Sequence, residues 1–157
     1  VSIVAAATRI KGTVSLGTPY VGRKANVPLF YEIRNSTTNV LMQGGTMYAD
    51  NAGNYEISTT LAGTAKVLVR GPHWLWRQNS PIVLNGSTYS GVNFNLINGD
   101  AVSDNIVNTD DYLALSDAFG TDPLDSLWNA QADFDGNLLV NTDDYLILSG
   151  NFDIAGD

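Results

Sequence analysis

Asp133-Phe134-Asp135-Gly136-Asn137-Leu138-Leu139-Val140-Asn141-Thr142-Asp143-Asp144-Tyr145 carries side-chain oxygens at positions 1, 3, 5, 9 and 12, counted from Asp133. That is the spacing of a calcium loop of the EF-hand type, in which position 7, here Leu139, gives its backbone carbonyl. The chemistry requires such spacing. Calcium is a hard ion that takes about six to eight oxygens at roughly 2.3–2.6 Å. Alternate residues of a tightly curled loop can point inward together. An acid at position 12, on the first turn of the following helix, closes the sphere.

A related string occurs 33 residues upstream. Asp100, Asp104 and Asn108 match Asp133, Asn137 and Asn141, and Thr109-Asp110-Asp111-Tyr112-Leu113 returns unchanged as Thr142-Asp143-Asp144-Tyr145-Leu146. Leu115-Ser116 and Phe119 return as Leu148-Ser149 and Phe152. A unit this small cannot bury its own apolar face, so the two copies are expected to pack together. The ligands expected in the second loop are Asp133, Asp135, Asn137, Leu139, Asn141 and Asp144. Those expected in the first are Asp100, Asp104, Ile106 (carbonyl), Asn108 and Asp111. Val102 at position 3 has no side-chain oxygen, so a water replaces it at a cost in affinity. Two Ca2+ sites are expected, the second stronger. Position 6, which needs φ > 0, is Asn105 in one copy and Leu138 in the other, which predicts a distorted or rearranged loop near Leu138. Val107 and Val140 at position 8 are expected to face the core and to pair the two loops through the backbone.

Each loop is followed by a helical pattern, Thr109 to Phe119 and Thr142 to Phe152. Tyr112, Leu115 and Phe119 fall on one face of the first, Tyr145, Leu148 and Phe152 on one face of the second. Asp110, Asp111, Asp143 and Asp144 sit in first turns, where negative charge suits the helix dipole. Pro123 to Trp128 reads as a short helix between the copies. No helical pattern precedes either loop.

Charge divides the chain at the same place. All eight Lys and Arg lie before residue 78 and face only Glu32, Asp50 and Glu56, a balance of +5. From Gly99 onward there are 13 Asp and no base. An acidic part of this strength disfavours nucleic acid, whose phosphates need Lys and Arg. The absence of cysteine excludes disulfides, zinc–thiolate sites and thiol catalysis, and the single histidine, His73, excludes a histidine-rich metal site. No apolar run reaches the ~20 residues that span a bilayer, so no membrane insertion is expected. Val1 to Ala7 is too short and uncharged for a full signal peptide and reads as a linker.

Residues 8 to 96 alternate apolar and polar residues, with turn residues every 8 to 12 positions, the pattern of a β-sandwich. Ile10, Val14 and Leu16 mark one strand, and Val27, Leu29, Tyr31 and Ile33 another. Asp50-Asn51-Ala52-Gly53 is a turn that leads into Asn54–Ile57. Ala65–Val69 follows Gly63, and Val92, Phe94 and Leu96 close the module. The fold class expected is therefore two domains: an all-β Ig-like sandwich over 1–97, then a small α-helical pair of calcium loop–helix repeats over 98–157.

The loop–helix pair, over about Asn98 to Phe152, resembles the type I dockerin family. The string Gly12-x-Val14, Asp50-x-x-Gly53-x-Tyr55-x-Ile57 and Leu61-Ala62-Gly63-Thr64-x-Lys66-Val67-x-Val69 is similar to the carboxypeptidase-regulatory or prealbumin-like sandwich. The dockerin resemblance implies that calcium-ordered helices dock onto a cohesin-like partner. The family's recognition positions map to Thr109, Asp110, Ser116 and Asp117, and to Thr142, Asp143 and Ser149. The implied function is a non-catalytic docking module of a larger secreted or cell-surface bacterial protein. Two alternatives stand beside it. One is a carbohydrate-binding module, with Trp74 and Trp76 stacking on a sugar. The other is a structural spacer that calcium rigidifies. No acid–base constellation supports an enzyme, because calcium ligation already uses one Asp of each acidic pair and Glu32 and Glu56 stand apart on strands.

Overall fold

The computed structural model describes residues 6–157, so the first five residues of the expected linker Val1–Ala7 lie outside the described residues. It contains nine strands, two α-helices and one turn of 3-10 helix (Lys24–Asn26) among the described residues. The strands are β1 (Thr8–Ser15), β2 (Leu29–Asn35), β3 (Leu41–Met47), β4 (Asn54–Thr59), β5 (Gly63–Arg70), β6 (Arg77–Gln78), β7 (Ile82–Leu84), β8 (Thr88–Tyr89) and β9 (Phe94–Asn95). The helices are α1 (Thr109–Ala118) and α2 (Thr142–Gly150). The chain divides into two compact units, each drawn from separate stretches. One takes the segment up to Ser15, Lys24–Val69 and Arg77–Phe94. The other takes Leu16–Arg23, Arg70–Trp76 and Asn95–Asp157.

In the first unit β4, β1 and β8 form one sheet, with β9 also on β1, and β3, β2, β5 and β6 form another, with β7 also on β5. Alternation in the sequence becomes alternation in burial. β4 runs exposed–buried three times over, and its Tyr55 and Ile57 share the interior with Ile10 and Val14 of β1. Leu29 and Ile33 of β2 and Val67 and Val69 of β5 are buried from the other sheet. The expected turn is present. Gly53 N–H donates to Asp50 O at 2.9 Å, and Asp50 Oδ1 accepts from Ala52 N and Asn54 N, both at 2.9 Å. Gly53 has φ +89°, and a Cβ there would lie 2.6 Å from Val14 O, so both the conformation and the space require glycine. Tyr55 is buried; its hydroxyl donates to Val92 O at 2.6 Å, and burial pushes its pKa far up.

The core of the second unit is shared by both repeats. Ala101, Val107, Leu115 and Ala118 from the first copy pack with Ala132, Phe134, Val140, Ile147 and Leu148 from the second. Leu75, fully buried, completes that core from the segment Arg70–Trp76. The two copies thus do bury their apolar faces together, and they recruit an upstream segment to do so.

The expected fold class is corrected here. An Ig-like sandwich followed by a separate α-helical domain does not describe a mostly-β chain whose two helices have 10 and 9 residues. The acid-rich stretches explain the shortage of helix. Their backbone N–H groups are taken by Asp and Asn side chains in turns rather than by carbonyls four residues back. The short helix expected over Pro123 to Trp128 is likewise two consecutive turns, with Asp125 N–H bonded to Asp122 O and Trp128 N–H to Asp125 O. Asp122 and Asp125 supply the local acceptors that compete with a helix.

Candidate functional site

The two loops repeat each other in backbone as well as in sequence. Positions 4 and 6 have positive φ in both: Ser103 (61°) and Asn105 (70°) in the first, Gly136 (74°) and Leu138 (67°) in the second. The loop around Leu138 is therefore not rearranged, contrary to expectation. Leu138 accepts the left-handed conformation with its side chain largely exposed.

The position 1 carboxylates hold the loops closed. Asp100 accepts from Asp104 N and Asn105 N, both at 3.0 Å. Asp133 accepts from Gly136 N at 3.1 Å, Asn137 N at 3.2 Å and Leu138 N at 2.9 Å. The position 12 acids act identically in both copies. Asp111 bonds Val102 N and Asn108 N, and Asp144 bonds Asp135 N and Asn141 N. Asn108 and Asn141, expected at position 9, are the N-caps of α1 and α2, each accepting from the N–H of the second residue beyond it at 2.8 Å. Asn137 Oδ1 accepts from Leu139 N at 2.9 Å, and Asp104 Oδ1 from Ile106 N at 3.2 Å.

These closures bring the acids together. Single carboxylate oxygens of Asp100, Asp104 and Asp111 lie within 4.8 Å of one another, and so do those of Asp133, Asp135 and Asp144. Asp100, Asp111, Asp133, Asp135 and Asp144 are buried. Burial raises the pKa of Asp100, Asp111 and Asp144, and it pushes Asp133 up to about 6, with Asp135 and Asp144 adding like charge. Buried carboxylates crowded against one another carry a cost that a cation removes. The donors are all oxygen, which suits a hard ion and not zinc or copper.

Val107 and Val140 are fully buried, as expected, but they pair differently. Val140 exchanges backbone bonds with the segment after α1, through Gly120 N to Val140 O at 2.7 Å and Val140 N to Thr121 O at 3.0 Å. Val107 does the same with the segment after α2, through Val107 N to Ile154 O at 2.9 Å and Asp153 N to Val107 O at 2.8 Å. Each loop is thus tied to the exit of the other copy's helix.

Thr109, Asp110, Ser116, Asp117, Thr142, Asp143 and Ser149 are all exposed on the two helices. Each of the expected helix faces combines buried and exposed residues. Leu115 and Leu148 are buried, but Tyr112, Phe119, Tyr145 and Phe152 are exposed, and the inward positions include Asp111, Ala118, Asp144 and Ile147. Tyr112 and Tyr145 meet edge to face, with ring centroids 6.2 Å apart. With Leu115, Ser116, Phe119 and Thr142 they line a groove between the helices. The sequence places Tyr112, Leu115 and Phe119 on one face, but nothing in it shows that Tyr145 and Thr142 of the other helix meet them there.

Trp74 and Trp76 do not form a sugar platform. Trp74 is 1% exposed, stacks on His73 at 3.9 Å and donates its indole N–H to Leu16 O at 3.2 Å. Trp76 is half-buried with the Arg70 guanidinium 5.8 Å from its ring centroid. His73 faces Asn98, Nδ1 to Oδ1 at 2.6 Å, and burial pushes its pKa down to about 4.

Two solved chains match this geometry from end to end. They come from a type II cohesin–X–dockerin complex of Acetivibrio cellulolyticus, one with a C-terminal interface mutation and one with an N-terminal interface mutation. The first is 20% identical with TM-score 0.73, the second 21% identical with TM-score 0.72; each alignment covers 95% of this chain and 97% of the other. The chain has the fold of a component of that assembly. No family model and no curated protein matches it.

This overturns the resemblance to a type I dockerin preceded by a prealbumin-like sandwich. The likeness runs through the whole chain as one piece, to chains of a type II complex, rather than stopping at Asn98 to Phe152. A cohesin-like partner was implied by that resemblance alone and no longer follows from it. What the likeness shows, at 20% and 21% identity, is the fold. Among the described residues no helix is long and apolar enough to cross a membrane.

Proposed function

We propose that this chain is a calcium-dependent docking module of a secreted or cell-surface protein. The observation that carries the reading is the pair of matched oxygen clusters, Asp100–Asp104–Asp111 and Asp133–Asp135–Asp144, each held at the N-terminus of a helix by the same bonds. Bound calcium would neutralise the crowded carboxylates and fix α1 and α2 against each other. Asn137 and the carbonyls of Ile106 and Leu139 would complete the oxygen sets, with Asn108 and Asn141 keeping their capping role.

The fixed helices present the groove around Tyr112 and Tyr145, which Leu115, Ser116, Phe119 and Thr142 also line. Its lining is aromatic, aliphatic and hydroxyl-bearing, with no base after Arg77 in the chain. Such a face suits a protein partner that offers apolar and aromatic side chains. The similar solved chains come from complexes named for cohesin–X–dockerin assembly, which supports protein docking as the role.

Calcium titration calorimetry tests the metal reading. Two sites are expected, with Asp133→Ala abolishing the tighter one and Asp100→Ala the weaker. Heat-silent titration of the intact chain would refute it. Capture of partners from the secreted fraction with and without chelator then separates docking from a purely structural role: only docking predicts a partner that chelator releases and that Tyr112→Ala loses. Burial of Trp74 disfavours sugar stacking on the Trp74–Trp76 pair.

A further inference from the structure

The two loops differ in what packs against them. Beside Asp100 stands Arg70, whose Nη1 is 4.0 Å from Asp100 Oδ2, with side chains 10% and 0% exposed. The guanidinium is held in place: Nε donates to Gly71 O at 3.0 Å and Nη2 to Pro72 O at 3.1 Å. Trp76 lies against it. A cation so enclosed cannot swing out to solvent. The group beside Asp133 in the second loop is instead Tyr20, a neutral phenol. A Cβ on Gly136 would fall 2.6 Å from the Tyr20 ring, and Val21 N–H bonds Asp135 O at 2.7 Å. Loops of matching backbone are thus braced by a fixed positive charge in one copy and by an uncharged ring in the other.

Resting on the calcium reading above, we propose that Arg70 is a resident counter-charge of the first loop, which lowers that loop's calcium affinity and keeps it folded without the ion. A fixed guanidinium repels a divalent ion bound at the same carboxylates, and the low-dielectric surroundings strengthen the repulsion. Val102, at a ligand position, weakens the same loop independently. In the absence of calcium the guanidinium offsets the repulsion among Asp100, Asp104 and Asp111. The second loop, braced by Tyr20, depends on the ion. The first is therefore a positioning element that stays formed, and the second is the calcium-dependent one. Arg70 acts here as a positioning residue and not as a ligand.

The experiment is calcium calorimetry on the full chain, with thermal melts in calcium and in chelator, for the parent, Arg70→Gln and Arg70→Lys. Arg70→Gln is expected to tighten the weaker site by on the order of tenfold, or to reveal a second site where the parent shows one. It should lower the melting temperature in chelator more than in calcium. Arg70→Lys keeps the charge and should leave the weaker site within about twofold of the parent. A merely structural Arg70 would lower both melts alike and leave the affinity unchanged or weaker, which overturns the proposal. A tenfold shift in Arg70→Lys also overturns it, and that arm decides alone if Arg70→Gln does not fold. A parent that binds no calcium defeats the calcium reading itself. A two-site parent with an indifferent Arg70→Gln defeats only the role of Arg70.

Discussion

Acidification should act on this protein in opposite directions with and without calcium. His73 is the single histidine, and burial holds its folded pKa at about 4, below the ordinary 6.5. A depressed histidine favours the folded state while neutral. Its contribution is complete above pH 6.5 and is lost as the pH falls from 6.5 through about 4. The difference corresponds to about 3 kcal/mol, or roughly 6–12 °C in melting temperature for a chain of this size. Asp133 has the opposite sign. Its folded pKa is raised from 3.8 to about 6, so its protonated form favours the fold, and that contribution is present below 3.8 and lost as the pH rises through about 6. Asp100, Asp111 and Asp144 are raised for the same reason and add to it. In chelator the carboxyls therefore oppose His73, and stability at pH 5 should be no lower than at pH 7. In calcium the carboxylates are held ionised by the metal, acid must displace it, and both groups then destabilise together. Paired melts from pH 7 to pH 4 in calcium and in chelator measure the difference. An NMR titration of the lone imidazole reads its pKa directly. An imidazole that titrates near 6.5, or melts that fall equally in both conditions, would refute the reasoning.

Three further outcomes are expected. Gly53→Ala should cost about 2 kcal/mol or more, read as a lowered melting temperature, because φ +89° and Val14 O both oppose a Cβ; a neutral result would mean the turn can relax. Leu138→Gly should be neutral to slightly stabilising, by up to about 1 kcal/mol, since relief of a left-handed leucine outweighs the extra chain entropy and the side chain is 61% exposed; a loss above 1 kcal/mol would show that Leu138 packs. In hydrogen exchange the amides of Val107 and Val140 should slow together when calcium is added, and independent responses would show that the crossed pairing does not couple the loops.

Much of this was legible from residue spacing. The duplicated Asp and Asn positions located both acid clusters and both helices, because a loop that gathers oxygens leaves a periodic trace. The turn at Asp50–Gly53 was legible for a similar reason: an Asx side chain and a glycine are each needed at a fixed offset. β3 was not, since Leu41–Met47 contains Gly44 and Gly45 and shows no clean alternation; Gly45 leaves space that the Tyr31 ring fills. The shared face of Tyr112, Leu115 and Phe119 was legible, but the spacing does not show whether that face is covered. Asp111 and Asp144 turn toward their own loops from position 12, where the repeat spacing puts an acid. The interleaving of segments was likewise invisible. Nothing local in Gly71-Pro72-His73-Trp74-Leu75 announces that Leu75 enters the core of the repeats or that His73 faces Asn98.

The crossed pairing explains why the duplication persists as a pair. Val140 needs Gly120 and Thr121, which exist only once α1 has ended in the first copy, and Val107 needs Asp153 and Ile154 from the end of the second. Neither loop has its backbone partners within its own repeat. An unpaired backbone group in a fully buried position is costly, so each copy alone would expose both a bare core face and unsatisfied amides. Asn98 reinforces the link: its Nδ2 donates to Phe134 O at 2.6 Å, and its backbone carbonyl accepts from Asn151 Nδ2 at 2.9 Å. Order imposed on the acids of one loop is therefore transmitted by short, direct bonds to the other. Two weakly stable halves become one element whose exposed face is defined only when both are folded, which is the property a docking surface requires.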